Sequence, residues 1–312
     1  MRSASRFYRL SVVLGIAGAG VVALAVAVAV RSVTLGTPSE ARLLSACQEV
    51  VLSGSTATSA IVLGFTGVGL AVLSLAIRSL LAHYRAQRRV LSALPLVREI
   101  TLRGTVATVF AHERPRAFCA GLLRPRIYLS SAALQMVPVA ELDAVLEHEA
   151  HHCRRRDPLR MLIVELLEDS LFFLPLMRRL RERYCALAEL AADEAAISGT
   201  GDRSALAAAL MTFAATPSSG VVGIAPERVD HLLGERPRWQ LSASLLTGAL
   251  VTLAGLLAGT VTLAQATDPG GLSVAVLSAQ ACMIAMVVLP VMLGASLMLV
   301  THRSRRSAKS GS

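Results

Sequence analysis

Charged and aromatic residues are both scarce in this sequence. Aspartate, glutamate, lysine and arginine make up 17% of the 312 residues, whereas about 25% is usual in soluble domains. Hydrophobic residues make up 54%, and the mean hydropathy is +0.59. This composition argues against an ordinary soluble enzyme and favours a membrane protein. Aromatic residues account for 4% and form no base-stacking constellation with the basic residues, so we expect no nucleic-acid partner despite the net charge of +10.

Cysteine is also scarce, and its spacing excludes two kinds of site. No two of the five cysteines form a CxxC pair, so the sequence predicts neither a disulfide framework nor a cysteine-based zinc site. Three of them lie in the central part of the chain, where a cytoplasmic location would keep them reduced. The five are Cys47, Cys119, Cys153, Cys185 and Cys282.

Four apolar stretches are long enough to cross a bilayer as helices. They cover residues 10–30, 58–81, 241–264 and 272–300, and a helix of about 20 residues spans the ~30 Å hydrocarbon core. The more polar region between the second and third stretches is long enough for one folded domain. The sequence therefore predicts a membrane region at 1–81, a folded domain at 82–240, and a second membrane region with a basic tail at 241–312.

The arginines predict how these stretches are oriented. They precede the first and third stretches and follow the second and fourth, while the two short connections carry few. Because positive residues collect on the cytoplasmic side, both termini and the central domain are expected in the cytoplasm of a multi-pass membrane protein. A cleaved signal peptide at residues 1–30 is the alternative, and it would leave the central domain on the same side.

The sequence His148-Glu149-Ala150-His151-His152 is the strongest sign of chemistry. On a helix, residues four apart share a face, so His148 and His152 can present two imidazoles to one metal ion. Glu149 lies beside them, where a carboxylate can take a proton from an attacking water. His151 is turned about 60° from His148 around the helix and is not expected to be a ligand.

The surrounding pattern predicts a small sheet followed by helices. We expect strands at residues 100–102, 106–109, 116–120 and 126–130, and then a helix that opens at Pro138, carries the two imidazoles and stops at Asp157-Pro158. Further helices are expected at 159–180, 181–197 and 204–215. The acidic residues in the first of these argue against a fifth span, so it should lie on the membrane surface or pack in the domain.

A catalytic zinc site needs a third protein ligand. Glu182, Glu189 and Glu194 are the carboxylates on the helix that could supply it, and Glu189 is favoured. The residues between Glu189 and Asp193 are small or apolar, as close packing against another helix requires. Asp193 lies one turn further along the same face, where it could accept a hydrogen bond from the outer nitrogen of a ligating histidine.

Residues 113–200 resemble the BlaR/MecR-type membrane metallopeptidases and, more loosely, the HtpX/Ste24-type enzymes. The resemblance implies an α-helical multi-pass membrane protein with an α+β zincin-like domain between two pairs of transmembrane helices. It implies His148, His152 and Glu189 as ligands of one Zn²⁺, Glu149 as general base, a structural role for Asp157 and an outer supporting role for Asp193. The matching runs cover residues 117–121, 125–130, 141–152, 154–157 and 189–193.

The chain also departs from the antibiotic-sensing members of that family. Those members carry a penicillin-binding domain after their last span, and no such S-x-x-K module is expected here. They also tend to have one more N-terminal span. We therefore do not expect β-lactam sensing, and any signal should enter through another route, such as a separate sensor protein.

Two site assignments stay open at the level of sequence. The predicted strand residues Ala117, Phe118, Cys119 and Ala120 could hold an extended peptide substrate at a sheet edge, or could simply be a buried strand. The transition-state oxyanion could be stabilised by Tyr184 or His231, and nothing in the sequence chooses between them.

The sequence as a whole predicts a zinc-dependent metalloendopeptidase of the gluzincin type, acting on a protein or peptide at the inner face of a bilayer. A transcriptional repressor is the kind of substrate that the resemblance suggests, which makes the function regulatory proteolysis. The alternatives are a prenyl-protein or quality-control protease of the Ste24/HtpX kind, and a non-catalytic zinc-binding membrane sensor or scaffold.

Overall fold

The computed structural model describes residues 2–34, 56–214, 242–268, 272–282 and 286. The chain forms two compact units. The first comprises Met1–Ala19 and Val72–Thr252, and the second comprises Gly20–Ala71 and Leu253–Ser312. The three-part division at 81 and 240 stays a prediction.

The chain begins with two long helices. Helix α1 covers Arg2–Arg31, strand β1 covers Val33–Thr34, and helix α2 covers Thr56–Ala93. Both helices extend beyond the apolar stretches predicted within them, because the arginines at their ends are compatible with helical backbone and reach solvent.

A four-stranded sheet follows in the first unit. Strands β2 (Leu96–Leu102) and β3 (Thr105–Phe110) form an antiparallel hairpin. The two turn residues, Arg103 and Gly104, both have positive φ, at 48° and 78°, as a tight two-residue hairpin requires. Strands β4 (Ala117–Ala120) and β5 (Arg126–Ser130) are antiparallel to each other, and β5 pairs parallel with β3. The strand order β2-β3-β5-β4 puts β4 at an edge.

Five helices come next in the same unit. They are α3 (Ser131–Met136), α4 (Val139–Arg155), α5 (Asp157–Ser170), α6 (Leu176–Thr200) and α7 (Arg203–Ala214).

Helix α4 packs on the sheet through its apolar side. Leu142, Leu146 and Ala150 are buried against Ile127 and Leu129 of β5. These three positions lie on the side of α4 opposite His148 and His152, as the helical period dictates. The sheet therefore supports one side of α4 and leaves the histidine side directed toward α6.

The predicted helix at 159–180 is two helices instead of one. Helix α5 ends at Ser170, a turn covers residues 171–175, and α6 begins at Leu176 immediately after Pro175. Proline lacks the amide hydrogen that a continuing helix needs. The break lets α6 return past α5 and α4. Glu165 and Glu168 of α5 are half-buried, and the exposed Asp169 accepts a hydrogen bond from Ser79 of α2 at 2.6 Å.

The C-terminal part contributes helix α8 (Ala243–Ala266) and strand β6 (Leu272–Ser273), which pairs with β1 in the second unit. Three helical segments are long and apolar enough to cross a membrane: Ala4–Arg31, Thr58–Ala93 and Ala243–Ala266. They correspond to the first three predicted spans. Most of the fourth predicted span, 272–300, lies outside the described residues.

Candidate metal centre

Three side chains from two helices converge on one point. His148 and His152 come from α4, and Glu189 comes from α6. The two Nε2 atoms are 3.2 Å apart. The Glu189 carboxylate oxygens lie 3.6 Å from Nε2 of His148 and 3.5 Å from Nε2 of His152. Among the described residues these three form a group whose ligand atoms lie within 4.8 Å of one another.

The spacing of these atoms fits a zinc ion. Zinc bonds of about 2.0–2.1 Å in a tetrahedron place neighbouring ligand atoms about 3.3–3.4 Å apart. The three observed separations of 3.2, 3.5 and 3.6 Å are close to that value. An ion held by these three ligands would keep its fourth position for water or substrate, as in catalytic zinc sites.

The outer nitrogens of both imidazoles face buried carboxylates. Nδ1 of His148 lies 3.0 Å from Asp193, and Nδ1 of His152 lies 2.9 Å from Asp157. Because a carboxylate accepts, both contacts suit the tautomer with its hydrogen on Nδ1, and in that tautomer each Nε2 presents a lone pair. Two lone pairs 3.2 Å apart repel unless a cation or a proton lies between them. The donor set therefore favours a metal ion.

The electrostatics of the site favour positive charge. Burial by itself would lower the pKa of His148, but Asp193 and Glu189, together with the nearby charge of Glu149, raise it to about 10. A group of carboxylates strong enough to hold a proton on a buried imidazole also stabilises a divalent cation in the same place.

Glu149 is adjacent to the ligand group and partly open to solvent. It is half-buried, whereas His148 and His152 are 8% and 7% exposed. Its charge acts on His148. Its place beside His148 and its partial exposure to water are compatible with the role of a general base.

The other carboxylates considered for α6 lie elsewhere. Glu182 pairs with Arg178 and Arg179 on the surface, at 3.0 and 3.3 Å. Glu194 is exposed. His151 is also outside the convergent group, and burial together with the charge of Arg155 lowers its pKa to about 4. His151 is therefore neutral at physiological pH.

Asp157 is held from several directions at the junction of α4 and α5. Arg156 between the helices is left-handed, with φ of 54°, and this turn brings Asp157 back beneath His152. Oδ2 of Asp157 faces His152, and Oδ1 accepts a hydrogen bond from the Tyr184 hydroxyl at 3.1 Å. Asp157 is only 1% exposed.

Tyr184 does not have the position of an oxyanion donor. Its side chain is 0% exposed, and its hydroxyl is already committed to Asp157. Burial and the neighbouring Asp157 charge both raise its pKa, so the hydroxyl stays protonated and acts as a donor. The sequence contains no sign of this arrangement beyond a tyrosine five residues before Glu189. His231 lies outside the described residues.

Strand β4 is half-buried and lies at the sheet edge. Cys119 of β4 is joined to Cys153 of α4 by a disulfide, with their Cα atoms 6.0 Å apart. The prediction that the cysteines of this region are unpaired was wrong for these two. The pair is separated by 34 residues in sequence, and only the packing of α4 against the sheet brings it together.

Comparison with known families identifies a match to this chain. A model of the family described as BlaR1 peptidase M56 matches residues 46–236, which is more than half of the chain and includes every residue of the metal centre. A comparison with curated proteins gives no match.

Proposed function

Since the chain belongs to the BlaR1 peptidase M56 family, we propose that this membrane protein is a zinc-dependent metalloendopeptidase of the gluzincin type. The observation that carries the proposal is the convergence of His148, His152 and Glu189 at separations that suit tetrahedral zinc, with Glu149 beside them. The four-stranded sheet with α4 packed on it is consistent with a zincin-like α+β domain.

The proposed chemistry divides among a few side chains. A zinc ion supplies Lewis acidity, which polarises a peptide carbonyl and makes water nucleophilic near neutral pH. His148, His152 and Glu189 would hold it, and Asp193 and Asp157 would fix the two imidazoles in the tautomer that binds metal. Glu149 would take a proton from the attacking water and deliver it to the departing amine.

Strand β4 is the proposed substrate-binding strand. Its residues, Ala117 to Ala120, pair with β5 on one side, and no other described strand pairs with the opposite side, where a substrate strand could be added. An extended peptide there would form main-chain hydrogen bonds with little demand on its own sequence. Such binding suits a protease that selects its substrate by access to the membrane surface.

We propose a cytoplasmic active site and a soluble protein substrate, such as a transcriptional repressor, which would make the function regulatory proteolysis. The arginine distribution supports the cytoplasmic side. The Cys119–Cys153 disulfide favours an oxidising compartment. The arginines agree at the ends of all four apolar stretches predicted from the sequence, whereas the disulfide is one pair, so the cytoplasmic side has the stronger support.

The topology can be tested by labelling a single cysteine at Arg103, in the exposed β2–β3 turn, with a membrane-impermeant maleimide. The background would be a variant with its native cysteines replaced by serine. Labelling only after the membrane is opened supports the cytoplasmic side. Labelling of intact cells would place the domain outside and contradict the proposal.

The activity can be tested by comparing protein N-termini in cells that carry the wild-type chain or Glu149→Gln. New N-termini that depend on Glu149 would identify the substrate. Identical N-termini in both, together with zinc bound to the wild type, would contradict a protease and leave a zinc-binding sensor or scaffold. Absence of bound zinc in wild-type protein purified without chelator would contradict the metal site itself.

A further inference from the structure

The first two turns of α1 dock against the helices that carry the metal centre. Ala4 is 1% exposed and packs with Leu187 and Leu190, which flank Glu189 in sequence. Ser5 accepts a hydrogen bond from Arg155 of α4 at 2.9 Å. Phe7 and Tyr8 pack in a cluster with Tyr184. We call Ala4, Ser5, Phe7 and Tyr8 the docking face of α1.

The docking face is connected to His152, a predicted metal ligand, through Tyr184 and Asp157. The Tyr8 ring lies 5.5 Å from the Tyr184 ring, and the Tyr184 hydroxyl donates to Asp157 at 3.1 Å. Asp157 in turn faces Nδ1 of His152 at 2.9 Å. The chain of contacts therefore runs from a candidate membrane span to the imidazole of His152.

Among the described residues, two groups lie at hydrogen-bond distance from the Asp157 carboxylate: the Tyr184 hydroxyl and Nδ1 of His152. Arg155 and Arg160 also approach Oδ1, but at 3.8 and 3.9 Å their nitrogens are too distant for good hydrogen bonds. Arg160 instead lies over the Tyr8 ring, with its guanidinium carbon 5.3 Å from the ring centre. Without the hydroxyl, Oδ1 of a nearly fully buried carboxylate would lose its close donor.

We propose that Tyr184 is a positioning residue for the zinc ligand His152, and that the docking face of α1, through Tyr8, holds Tyr184 in place. The inference rests on the zinc site of the proposed function. It assigns α1 a role beyond anchoring, because a displacement of this helix would loosen Asp157 and lower the affinity for zinc. A signal that moves α1 would therefore change the metal centre directly.

The test uses the full-length chain in lipid nanodiscs, stripped of metal, with zinc affinity measured by competition with a chromophoric chelator. Tyr184→Phe removes one hydroxyl and keeps the ring. We expect zinc affinity to fall about tenfold, at the lower end of the effect of losing a partner of a metal ligand. Tyr84→Phe, at a position on α2 that is 51% exposed, is the matched control and should bind zinc as the wild type does.

A second variant tests the contribution of α1. Tyr8→Leu keeps an apolar side chain but removes the ring that contacts Tyr184 and Arg160. We expect a fall of about threefold in zinc affinity, and a changed visible spectrum when Co²⁺ replaces zinc, because the orientation of the His152 imidazole changes. If Tyr8 only filled the core, its replacement would lower the unfolding temperature and leave the zinc affinity and the Co²⁺ spectrum unchanged.

Wild-type zinc affinity and an unchanged Co²⁺ spectrum in Tyr184→Phe would overturn the proposal, as would an equal loss in Tyr84→Phe. If Tyr184→Phe does not fold, the test depends on Tyr8→Leu. Wild-type zinc affinity in Tyr8→Leu would then overturn the proposal. A wild-type chain that binds no zinc would instead contradict the proposed function, so the two failures are distinguishable.

Discussion

Two clusters of histidine and carboxylate lie in the same unit and are built differently. In the metal centre, the Nε2 atoms of His148 and His152 face each other at 3.2 Å. In the second cluster, which joins α2, α5 and α6, both ring nitrogens of His83 already face oxygen atoms: the Ser79 carbonyl at 2.9 Å and Glu165 at 2.6 Å. We call this second cluster the α2–α5 clamp. It consists of Ser79, His83, Glu165, Glu168, Asp169 and Arg181.

The difference lies in what balances the carboxylates. In the clamp, Arg181 pairs with Glu168 and approaches Glu165 at 3.8 Å, so one arginine offsets part of the charge of these two carboxylates. In the metal centre Asp193 and Glu189 lie 3.0 and 3.6 Å from the His148 imidazole, whose pKa they raise to about 10. Histidine and carboxylate together are therefore insufficient for a metal site. Two imidazole nitrogens must also face each other, as the Nε2 atoms of His148 and His152 do and those of His83 do not.

The largest expected effect is on the rate of catalysis in the metal centre, with zinc binding unchanged. Glu149→Gln should lower the rate of substrate cleavage by about 10²–10⁴-fold, the usual contribution of a general base, while zinc content stays at the wild-type level. Glu147→Gln is the matched control, since Glu147 pairs with Arg154 at 2.6 Å and is not one of the converging residues. Cleavage at the wild-type rate by Glu149→Gln would remove Glu149 from the mechanism.

The next effect compares one carboxylate from each cluster. Glu189→Gln should weaken zinc binding more than about 100-fold, because losing a ligand should cost more than losing the partner of a ligand. Glu165→Gln, in the clamp, should leave zinc affinity unchanged. Zinc competition measurements on both variants give the comparison directly. Equal affinities would mean that Glu189 is not a ligand.

A smaller effect is expected at the outer carboxylates. Asp157→Asn and Asp193→Asn should each weaken zinc binding about 10–100-fold, because a neutral amide replaces the charged acceptor and holds the Nδ1–H of the imidazole less strongly. Asp169→Asn in the clamp serves as the control, since Asp169 bonds Ser79 and contacts no predicted ligand. The same zinc competition measurement applies. A loss of affinity in Asp169→Asn equal to that in Asp157→Asn would show a general loss of folding instead.

The smallest expected effect is on stability alone. Ser79→Ala removes the hydrogen bond donated to Asp169 and should lower the free energy of unfolding by about 1 kcal/mol, the usual net value of one such bond. Zinc affinity should not change. Thermal unfolding in detergent, followed beside zinc binding, measures both. A change in zinc affinity would mean that the clamp and the metal centre are coupled.

Local patterns predicted much of the fold. The four strands and the helix that carries the two histidines lie close to their expected positions, because alternation and helical spacing are short-range signals. The break between α5 and α6 was missed since the apolar run continues through it and only Pro175 marks it. The disulfide was missed because Cys119 and Cys153 meet through packing across the sheet and not through a sequence spacing.

The sequence by itself determined that the two imidazoles share one helix face. Residues four apart, such as His148 and His152, project from the same face of a helix whatever the helix packs against. Only the tertiary structure decided that Glu189 rather than Glu182 or Glu194 joins them, since that depends on the return of α6 past α4. It also decided that Tyr184 donates a hydrogen bond to Asp157 and that Tyr8 of α1 contacts the Tyr184 ring. Such contacts join residues distant in sequence, and no local period encodes them.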